Sequence, residues 1–343
     1  MIGVPTLIKI MTRLIQLQQD GIRKIAVVEE PKLRLLAPFA SIYELALHAI
    51  NHQQKLSELI AQSGTSETLD YDDVYAGQTA WRILPAADHP EEAARCLVSG
   101  TGLTHTASAK NRNAMHVQDT ATLTDSMKIF YAGVERGKPT AGEIGVAPEW
   151  FYKGHGDILR AHGEALLTPR YAEDGGEEPE IAGVYVIGDD GTPHRIGFTT
   201  GNEFSDHKFE KQNYLYLAGS KLRNCSIGPE LVIGHDFQSV PGTVTVERDG
   251  QTLWTAAIKS GEAEMCHSLA NMEHHHFKFE GHRRAGDVHI HFYGADAFSF
   301  GADVALQQGD VMKVQWEGFG RALCNPLAVA EEKDAVVTVA AMA

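Results

Sequence analysis

Residues 178–203 read EPEIAGVYVIGDDGTPHRIGFTTGNE, and this stretch decides how the rest of the chain is interpreted. Two apolar, β-branched runs flank the turn-forming sequence DDG at 189–191. The pattern predicts two antiparallel strands joined by a tight turn. Acidic side chains stand at the open end of this predicted hairpin, with Glu178 and Glu180 before the first strand and Glu203 after the second.

Glu178 and Glu180 have the spacing that brings two side chains to the same face of an extended segment. Two adjacent carboxylates repel each other unless a cation lies between them, and hard oxygen ligands favour Mg²⁺, Mn²⁺ or Ca²⁺ over zinc. Glu203 would complete a metal-binding face if the two strands are neighbours. Taken alone, the pair is better explained as part of an acidic loop, since Glu173, Asp174 and Glu177 lie next to it, and Glu203 as part of the first turn of a helix.

The pattern of predicted helices and strands divides the chain into two predicted domains. Residues 1–94 contain a predicted hairpin and a helix over residues 41–63, which Ser41 and Glu44 begin as a capping box and Gly64 ends. Residues 95–343 are dominated by short strands with Gly-, Pro- and Asp-rich turns, interrupted by a helix near residues 208–218. The predicted fold class is therefore α+β and β-rich, with a small N-terminal α/β domain ahead of the larger domain.

Composition argues against several classes of protein. The chain has 343 residues and a formal net charge of −15, with no block of Lys and Arg of the kind that binds nucleic acid. No apolar stretch reaches the roughly 18 residues of a membrane span. The four cysteines are scattered without a CxxC pair, which indicates reduced thiols in a cytoplasm rather than disulfides or a structural zinc site.

Two further segments carry polar groups that could have a function. The sequence GTGLT at 100–104, followed by Ser108, is either an ordinary turn or a loop whose backbone N–H groups approach an anionic substrate. A histidine-rich stretch, residues 267–291, includes an HxH pair that could bind zinc or iron. Three adjacent histidines cannot all face one point on a strand, so a surface or subunit-contact role is favoured for this stretch.

Seven short motifs, taken in order, resemble those of the fumarylacetoacetate hydrolase superfamily over residues 95–326. They are GTGLT (100–104), FYKG (151–154), EPE (178–180), GNE (201–203), GSKLRNCSIGP (219–229), QGD (308–310) and GFGRALCNP (318–326). The resemblance implies a mixed β-sandwich or roll built around a divalent metal, usually Mg²⁺ with Mn²⁺ as an alternative. It also implies a homodimer.

The same resemblance assigns roles to individual residues. It makes Glu178, Glu180 and Glu203 the metal ligands and places Lys221 against the oxyanion or carboxylate of the substrate. The further substrate-binding residues that it implies are Thr104, Lys153 and His207. Two positions depart from the family pattern, since Glu203 stands where Asp is more common and His207 stands where Arg is often found.

The most informative departure concerns the reaction. The C–C bond hydrolases of the family carry GLNYxxHxxE, whose His and Glu activate water. Alignment on Gly102-Leu103 places Thr104 at the Asn and Ser108 at the His, although His105 lies three residues before Ser108. This arrangement resembles the sugar-acid dehydratases of the family, which act on 2-keto-3-deoxy-pentonates such as the arabinonate or xylonate in non-phosphorylative pentose breakdown.

The resulting hypothesis is a Mg²⁺-dependent dehydratase that acts on a small anionic 2-keto acid. A base removes a C3 proton, the C4 hydroxyl leaves as water, and tautomerisation yields 2,5-dioxopentanoate. Lys221 would stabilise the developing negative charge, and Ser108 would handle the proton or the leaving hydroxyl. The alternatives are an acylpyruvate-type C–C hydrolase that releases pyruvate and, in another class, a non-enzymatic sugar-acid sensor, which would have little need of three converging carboxylates.

Overall fold

The computed structural model describes residues 11–106, 109, 125–331 and 334–342. Its strands are β1 (Thr12–Gln19), β2 (Ile22–Glu29), β3 (Lys32–Leu36), β4 (Gly64–Asp70), β5 (Arg82–Ile83), β6 (Cys96–Gly102), β7 (Glu149–His155), β8 (Leu159–Arg160), β9 (Leu166–Thr168), β10 (Pro179–Ile187), β11 (Pro193–Asn202), β12 (Cys225–Ile233), β13 (Val240–Arg248), β14 (Gln251–Ser260), β15 (Val288–Phe292), β16 (Val311–Trp316) and β17 (Leu323–Val329). Its α-helices are α1 (Ile42–Asn51), α2 (Leu56–Ser63), α3 (Tyr71–Tyr75), α4 (Asp125–Arg136), α5 (His207–Gln212), α6 (Leu217–Lys221) and α7 (Leu269–Phe277).

The strands form two mixed sheets. The larger sheet has the order β4-β3-β2-β1-β12-β11-β10-β15-β6-β7, with β5 beside β1 and β8 beside β12. The smaller sheet has the order β14-β13-β16-β17-β9. Parallel pairing occurs between β12 and β8, between β15 and β6, and between β17 and β9, whereas the other pairs are antiparallel. The predicted α+β, β-rich fold class is confirmed.

The hydrophobic core lies on both faces of the larger sheet. On one face, Ile181 and Phe198 pack with Val244 and Trp316 of the smaller sheet, so the two sheets share a core. On the opposite face, apolar side chains of β10 and β15 pack against α1 and α2. Strand β10 is consequently buried along its whole length, which explains why its sequence is apolar rather than alternating.

The hairpin predicted around residues 189–191 is formed by β10 and β11. Pro179 pairs with Asn202, and Glu180 pairs with Gly201. One step further along, the Glu203 backbone N–H donates to the Glu178 carbonyl oxygen at 2.9 Å. The hairpin register therefore brings both ends of the opening motif to the same edge of the structure.

The N-terminal segment continues the larger sheet. Residues Thr12 to Leu14 of β1 pair antiparallel with Leu231 to Ile233 of β12. Helix α1 also contributes to the core that covers β10 and β15. The division into residues 1–94 and 95–343 stays a prediction, and in the structure the two segments share both a sheet and a core.

Two of the predicted helices have different bounds in the structure. The helix predicted over residues 41–63 is interrupted after Asn51 and continues as α2, which ends at Gly64 as expected. The helix predicted near residues 208–218 is also two helices, α5 and α6, because the 3₁₀ turn Tyr214–Tyr216 separates them. Among the described helices, none has both the length and the apolar composition needed to cross a membrane.

The predicted capping box at the start of α1 generates a stability prediction. The Ser41 hydroxyl accepts from the Glu44 N–H at 3.1 Å, and Glu44 accepts from the Ala40 N–H at 2.8 Å. Ser41→Ala should therefore lower the free energy of unfolding by about 1 kcal/mol in chemical denaturation. Ser57→Ala, on the exposed face of α2, is the control and should change little. Equal effects of the two changes would contradict the assignment of Ser41 as a stabilising cap.

The histidine-rich stretch is largely internal, so the surface role favoured from the sequence is wrong for most of its members. His274 is exposed on α7, but His275 and His276 of the same helix are buried, as are His267, His289 and His291. The prediction assumed a strand, on which adjacent side chains alternate. On a helix, by contrast, consecutive side chains fan out by about 100° and two of the three can face inward.

Four of these histidines form one packed cluster, comprising His276, His282, His289 and His291. Hydrogen bonds join His276 Nε2 to His289 Nδ1 at 2.9 Å, and His291 lies between the hydroxyls of Ser99 and Thr101 at 2.9 and 2.7 Å. Burial lowers the pKa of His289 to about 3. Burial, together with the charges that His289 and His282 can carry, lowers the pKa of His291 to about 3.

The histidine cluster predicts loss of stability in acid. A histidine that is neutral when folded but protonates near the ordinary imidazole pKa of 6.5 when unfolded gives the unfolded chain more bound protons below that pH. Each such group lowers the free energy of unfolding by about 1.4 kcal/mol per pH unit as the pH falls from 6.5 toward 3. Denaturation of the wild type and His291→Gln at several pH values should show a shallower pH dependence in the variant. His274→Gln is the exposed control, and parallel curves for His291→Gln and the wild type would rule out this explanation.

Candidate active site

The carboxylates of Glu178, Glu180 and Glu203 converge at the open end of the β10–β11 hairpin. One carboxylate oxygen of each lies within 4.8 Å of those of the other two, and all three side chains are buried. In the described part of the chain this is the one group of three or more His, Cys, Asp or Glu side chains arranged closely enough to hold a metal ion. The structure thus brings together the three residues predicted as metal ligands.

The donor set fits a hard divalent cation. Three carboxylates supply only oxygen atoms, and their separation is compatible with one ion whose ligands lie about 2.1 Å away. Thiolate and imidazole nitrogen, which would favour zinc, are absent from the group of converging ligands found in the described residues. The three residues could therefore hold Mg²⁺, or Mn²⁺ in its place.

Lys221 lies at the end of α6 with its ammonium group among these carboxylates. Its Nζ donates to Glu178 Oε1 and to Glu203 Oε2, both at 2.6 Å, and to Ser205 Oγ at 3.0 Å. The Nζ also lies 5.0 Å from the centre of the Phe151 ring, in a cation–π arrangement. Lys221 is therefore part of the cluster, while its contact with substrate stays a prediction.

Lys153 of β7 also contacts the carboxylate cluster, through Glu203. Its Nζ lies 2.5 Å from Glu203 Oε1 and donates to the carbonyl oxygens of Phe204 at 2.8 Å and Lys221 at 3.0 Å. A lysine ammonium has three hydrogens, and here each is directed at an acceptor within the protein. The substrate-binding role of Lys153 stays a prediction, and the contacts in the structure position Glu203 and Lys221.

His207 begins helix α5 and faces the same cluster. Its Nε2 lies 3.1 Å from Glu178 Oε1, and its ring stacks on that of Phe298 with centroids 4.7 Å apart. Phe300 covers it at a centroid distance of 5.1 Å. The structure places His207 as a partner of Glu178, and its contact with substrate also stays a prediction.

Burial and the neighbouring charges shift the pKa values of the three carboxyl groups in different directions. Burial raises the pKa of Glu178, but the adjacent Lys221 and His207 outweigh it and hold that pKa well below its usual value. Burial and the charges of Glu203 and Glu178 raise the pKa of Glu180 well above its usual value. Burial raises the pKa of Glu203, although Lys153 and Lys221 oppose that shift. Glu180 is thus the carboxyl for which the protein itself supplies the least positive charge.

The loop after β6 brings Thr104 near this site. The Thr104 hydroxyl lies 2.6 Å from the Tyr293 carbonyl oxygen and 2.8 Å from His105 Nδ1. Its predicted contact with substrate therefore stays a prediction, since both of these hydrogen bonds are to protein atoms. Ser108, the second predicted catalytic residue, lies outside the described residues.

No role was assigned from the sequence to two groups that orient the carboxylates, the Gly294 backbone N–H and the Asn202 side chain. The Gly294 backbone N–H donates to Glu180 Oε2 at 2.7 Å. The Asn202 side-chain oxygen accepts from the backbone N–H groups of Glu178 and Phe204, both at 3.2 Å, which fixes the hairpin end. Backbone donors are invisible to motif reasoning, whereas Asn202 is part of the GNE motif and its role could have been suspected from that position.

Together these groups can bind a dication and present it beside fixed positive charge. Three carboxylates can hold a divalent cation, and the two buried lysines compensate part of the negative charge of those carboxylates. The hydrogen bonds that Glu178, Glu180 and Glu203 accept orient their carboxylates through neighbouring groups, as metal sites require.

Comparison with known proteins gives one relative in sequence. No protein-family model matches the chain. A protein of Haloferax volcanii named "Probable 2-keto-3-deoxyxylonate dehydratase" is 28% identical over 179 residues. The match covers 50% of this chain and 58% of that relative, so the chain spans little more than half of the relative's length.

Solved structures resemble the chain over nearly its whole length. A 2-keto-3-deoxy-D-arabinonate dehydratase complexed with magnesium and 2,5-dioxopentanoate has a TM-score of 0.69 at 18% identity, covering 93% of this chain and 100% of that one. A fumarylacetoacetate hydrolase of Exiguobacterium antarcticum has a TM-score of 0.57 at 19% identity with the same coverage. The predicted resemblance is confirmed, and the chain shares the fold of these two solved structures.

Proposed function

We propose that this protein is a Mg²⁺-dependent dehydratase that converts a 2-keto-3-deoxy-pentonate, such as the arabinonate or xylonate, into 2,5-dioxopentanoate. The observation that carries the proposal is the buried convergence of Glu178, Glu180 and Glu203. The names of the sequence relative and of the structural neighbour that binds magnesium and 2,5-dioxopentanoate support the choice of substrate. We further propose a cytoplasmic homodimer acting in pentose catabolism, as the motif resemblance implies.

In this proposal Glu178, Glu180 and Glu203 hold the ion. A bound Mg²⁺ would supply Lewis-acid polarisation of the 2-keto and carboxylate oxygens of the substrate, which acidifies the C3 protons. Mn²⁺ would serve as the alternative ion, since it accepts the same oxygen ligands.

The residues around the carboxylates orient the substrate and stabilise charge. In this proposal Lys221, whose ammonium donates to Glu178 and Glu203, would stabilise the negative charge that develops on the substrate oxygens when a C3 proton is lost. Lys153 and His207 hold Glu203 and Glu178 in place. Burial of the whole cluster excludes bulk water and strengthens each of these interactions.

Loss of the C3 proton and of the C4 hydroxyl releases one molecule of water. A shift of the resulting double bond then leaves an aldehyde at C5, which is 2,5-dioxopentanoate. We propose Ser108 as the group that handles the proton or the leaving hydroxyl, and Thr104 as a residue that contacts the substrate. The second candidate, a C–C hydrolase that releases pyruvate, is compatible with the same fold and is disfavoured because Ser108 stands where hydrolases of the family carry His.

Removal of one carboxylate tests the metal site. Glu180→Gln should abolish saturable Mg²⁺ binding in isothermal titration calorimetry and reduce turnover by at least about a hundredfold, because a neutral amide replaces a charged ligand. Addition of EDTA to the wild type should stop turnover in the same way. Retention of activity in both experiments would refute the metalloenzyme.

Glu177→Gln is the matched control for this experiment. Glu177 is equally buried and adjacent in sequence, but its carboxylate accepts from the Ser299 N–H at 2.6 Å and hydroxyl at 2.7 Å instead of joining the cluster. A serine hydroxyl can accept as well as donate, so the amide is accommodated there. This variant should bind Mg²⁺ as the wild type does.

Product analysis separates the two candidate reactions. With Mg²⁺ present, 2-keto-3-deoxy-pentonates should yield 2,5-dioxopentanoate, measured by chromatography and as an aldehyde adduct. Acylpyruvates should give no pyruvate above the rate without protein. Pyruvate release from acylpyruvates, with no semialdehyde from the sugar acids, would refute the proposed dehydratase and favour the hydrolase.

A further inference from the structure

The loop of Thr104 and the strand end at Gly294 meet at one peptide group. The Thr104 hydroxyl lies 2.6 Å from the Tyr293 carbonyl oxygen, and the Gly294 N–H of the same peptide bond donates to Glu180 Oε2 at 2.7 Å. The peptide is therefore held at one end by a hydroxyl and at the other by the carboxylate. Resonance in the peptide links its two ends, so a donor on the carbonyl strengthens the bond made by the N–H.

The proton positions along this path follow from donor chemistry. A carbonyl oxygen only accepts, so the single hydroxyl proton of Thr104 is directed at Tyr293. The second contact of that hydroxyl, to His105 Nδ1 at 2.8 Å, must then be donated by the imidazole. His105 is consequently the Nδ1–H tautomer, and its complete burial lowers its pKa to about 3, which keeps it neutral.

The geometry around Gly294 shows that the approach is close. A Cβ atom at Gly294 would lie 2.2 Å from the Thr104 hydroxyl oxygen, and the residue has φ of +98°. Only glycine adopts this conformation without strain and leaves the necessary space. The Thr104 backbone is itself fixed, because its carbonyl oxygen accepts from the Cys266 N–H at 2.9 Å.

We propose that Thr104 and His105 are positioning residues that orient the metal ligand Glu180 through the Tyr293–Gly294 peptide. This inference rests on the proposed metal site and adds residues to its support. The hydrogen bonds run from His105 Nδ1 to the Thr104 hydroxyl, then to the peptide, and end on Glu180. A second donor, the Trp316 indole N–H, fixes the Glu180 carbonyl oxygen at 3.2 Å. Glu180 is thereby held at both its backbone and its carboxylate.

Glu180 is also the ligand that most needs such support. Lys221 donates to Glu178 and Glu203, whereas the Glu180 carboxylate accepts from a backbone N–H. The hydrogen bond from Gly294 to Oε2 fixes the plane of the carboxylate and therefore also the position of its second oxygen, Oε1. Loss of the Thr104 hydroxyl would make the orientation of the Glu180 carboxylate less fixed, without removing a contact of Glu178 or Glu203.

The test is Mg²⁺ affinity measured by isothermal titration calorimetry on the full chain. Thr104→Val, which removes the hydroxyl and keeps the shape, should weaken Mg²⁺ binding by about tenfold. Thr104→Ser should restore the wild-type affinity, because it returns the hydroxyl. His105→Asn should also bind like the wild type, since its amide N–H can replace Nδ1–H, whereas His105→Leu should be weakened.

Thr199→Val controls for stability. The Thr199 hydroxyl is equally buried and donates to the Glu230 carbonyl oxygen at 2.9 Å, so its removal costs one comparable hydrogen bond. This control should lower thermal stability as Thr104→Val does and leave Mg²⁺ affinity unchanged. Wild-type affinity in Thr104→Val, or equal weakening in both valine variants, would overturn the inference. A folded wild type that binds no Mg²⁺ would instead overturn the proposed function.

Discussion

Carboxylates withdrawn from water must find positive charge or donors, and this constraint shapes the whole site. Three buried glutamates could not remain ionised together without compensation, because the desolvation of each charge and their mutual repulsion are both unfavourable. Lys221 and Lys153 supply that compensation from two different elements, α6 and β7. The positions of those elements are therefore tied to the end of the β10–β11 hairpin.

The two lysines do not compensate the three carboxylates equally, so the three predicted ligands differ in how their negative charge is balanced. Glu178 and Glu203 each contact at least one ammonium group, whereas Glu180 is bonded by a backbone N–H. A ligand held by a neutral donor keeps more of its charge for an incoming ion than one already paired with a lysine. Within one carboxylate cluster, the fold thus combines two ligands that are charge-compensated by direct contact with a lysine and one that is held by a neutral group.

Much of this site follows from sequence because the hairpin has simple geometry. The spacing of Glu178 and Glu180 places them on one face, and a tight turn between two long strands returns Glu203 to their side. The lysines were found only through the order of family motifs, since nothing in local spacing links residues 153 and 221 to residue 178. The Tyr293–Gly294 peptide could not be found at all, because backbone groups have no residue signature. The three adjacent histidines, His274, His275 and His276, were misjudged because a helix was interpreted as a strand, which changes the faces that adjacent side chains occupy.

The pairing of β1 with β12 has a consequence for how the chain folds. Thr12 lies opposite Ile233, so the two strands are roughly 220 residues apart in sequence, a separation typical of slow, topologically demanding folding. During synthesis from the N-terminus, the β1–β2–β3 meander can form early and pair with β5 at Leu17 and Gln18, while the Thr12 to Leu14 part of the β1 edge has no neighbour until β12 is made. Unpaired strand edges are sites of intermolecular association. Until β12 has been made, this part of the edge is therefore open to pairing with another chain.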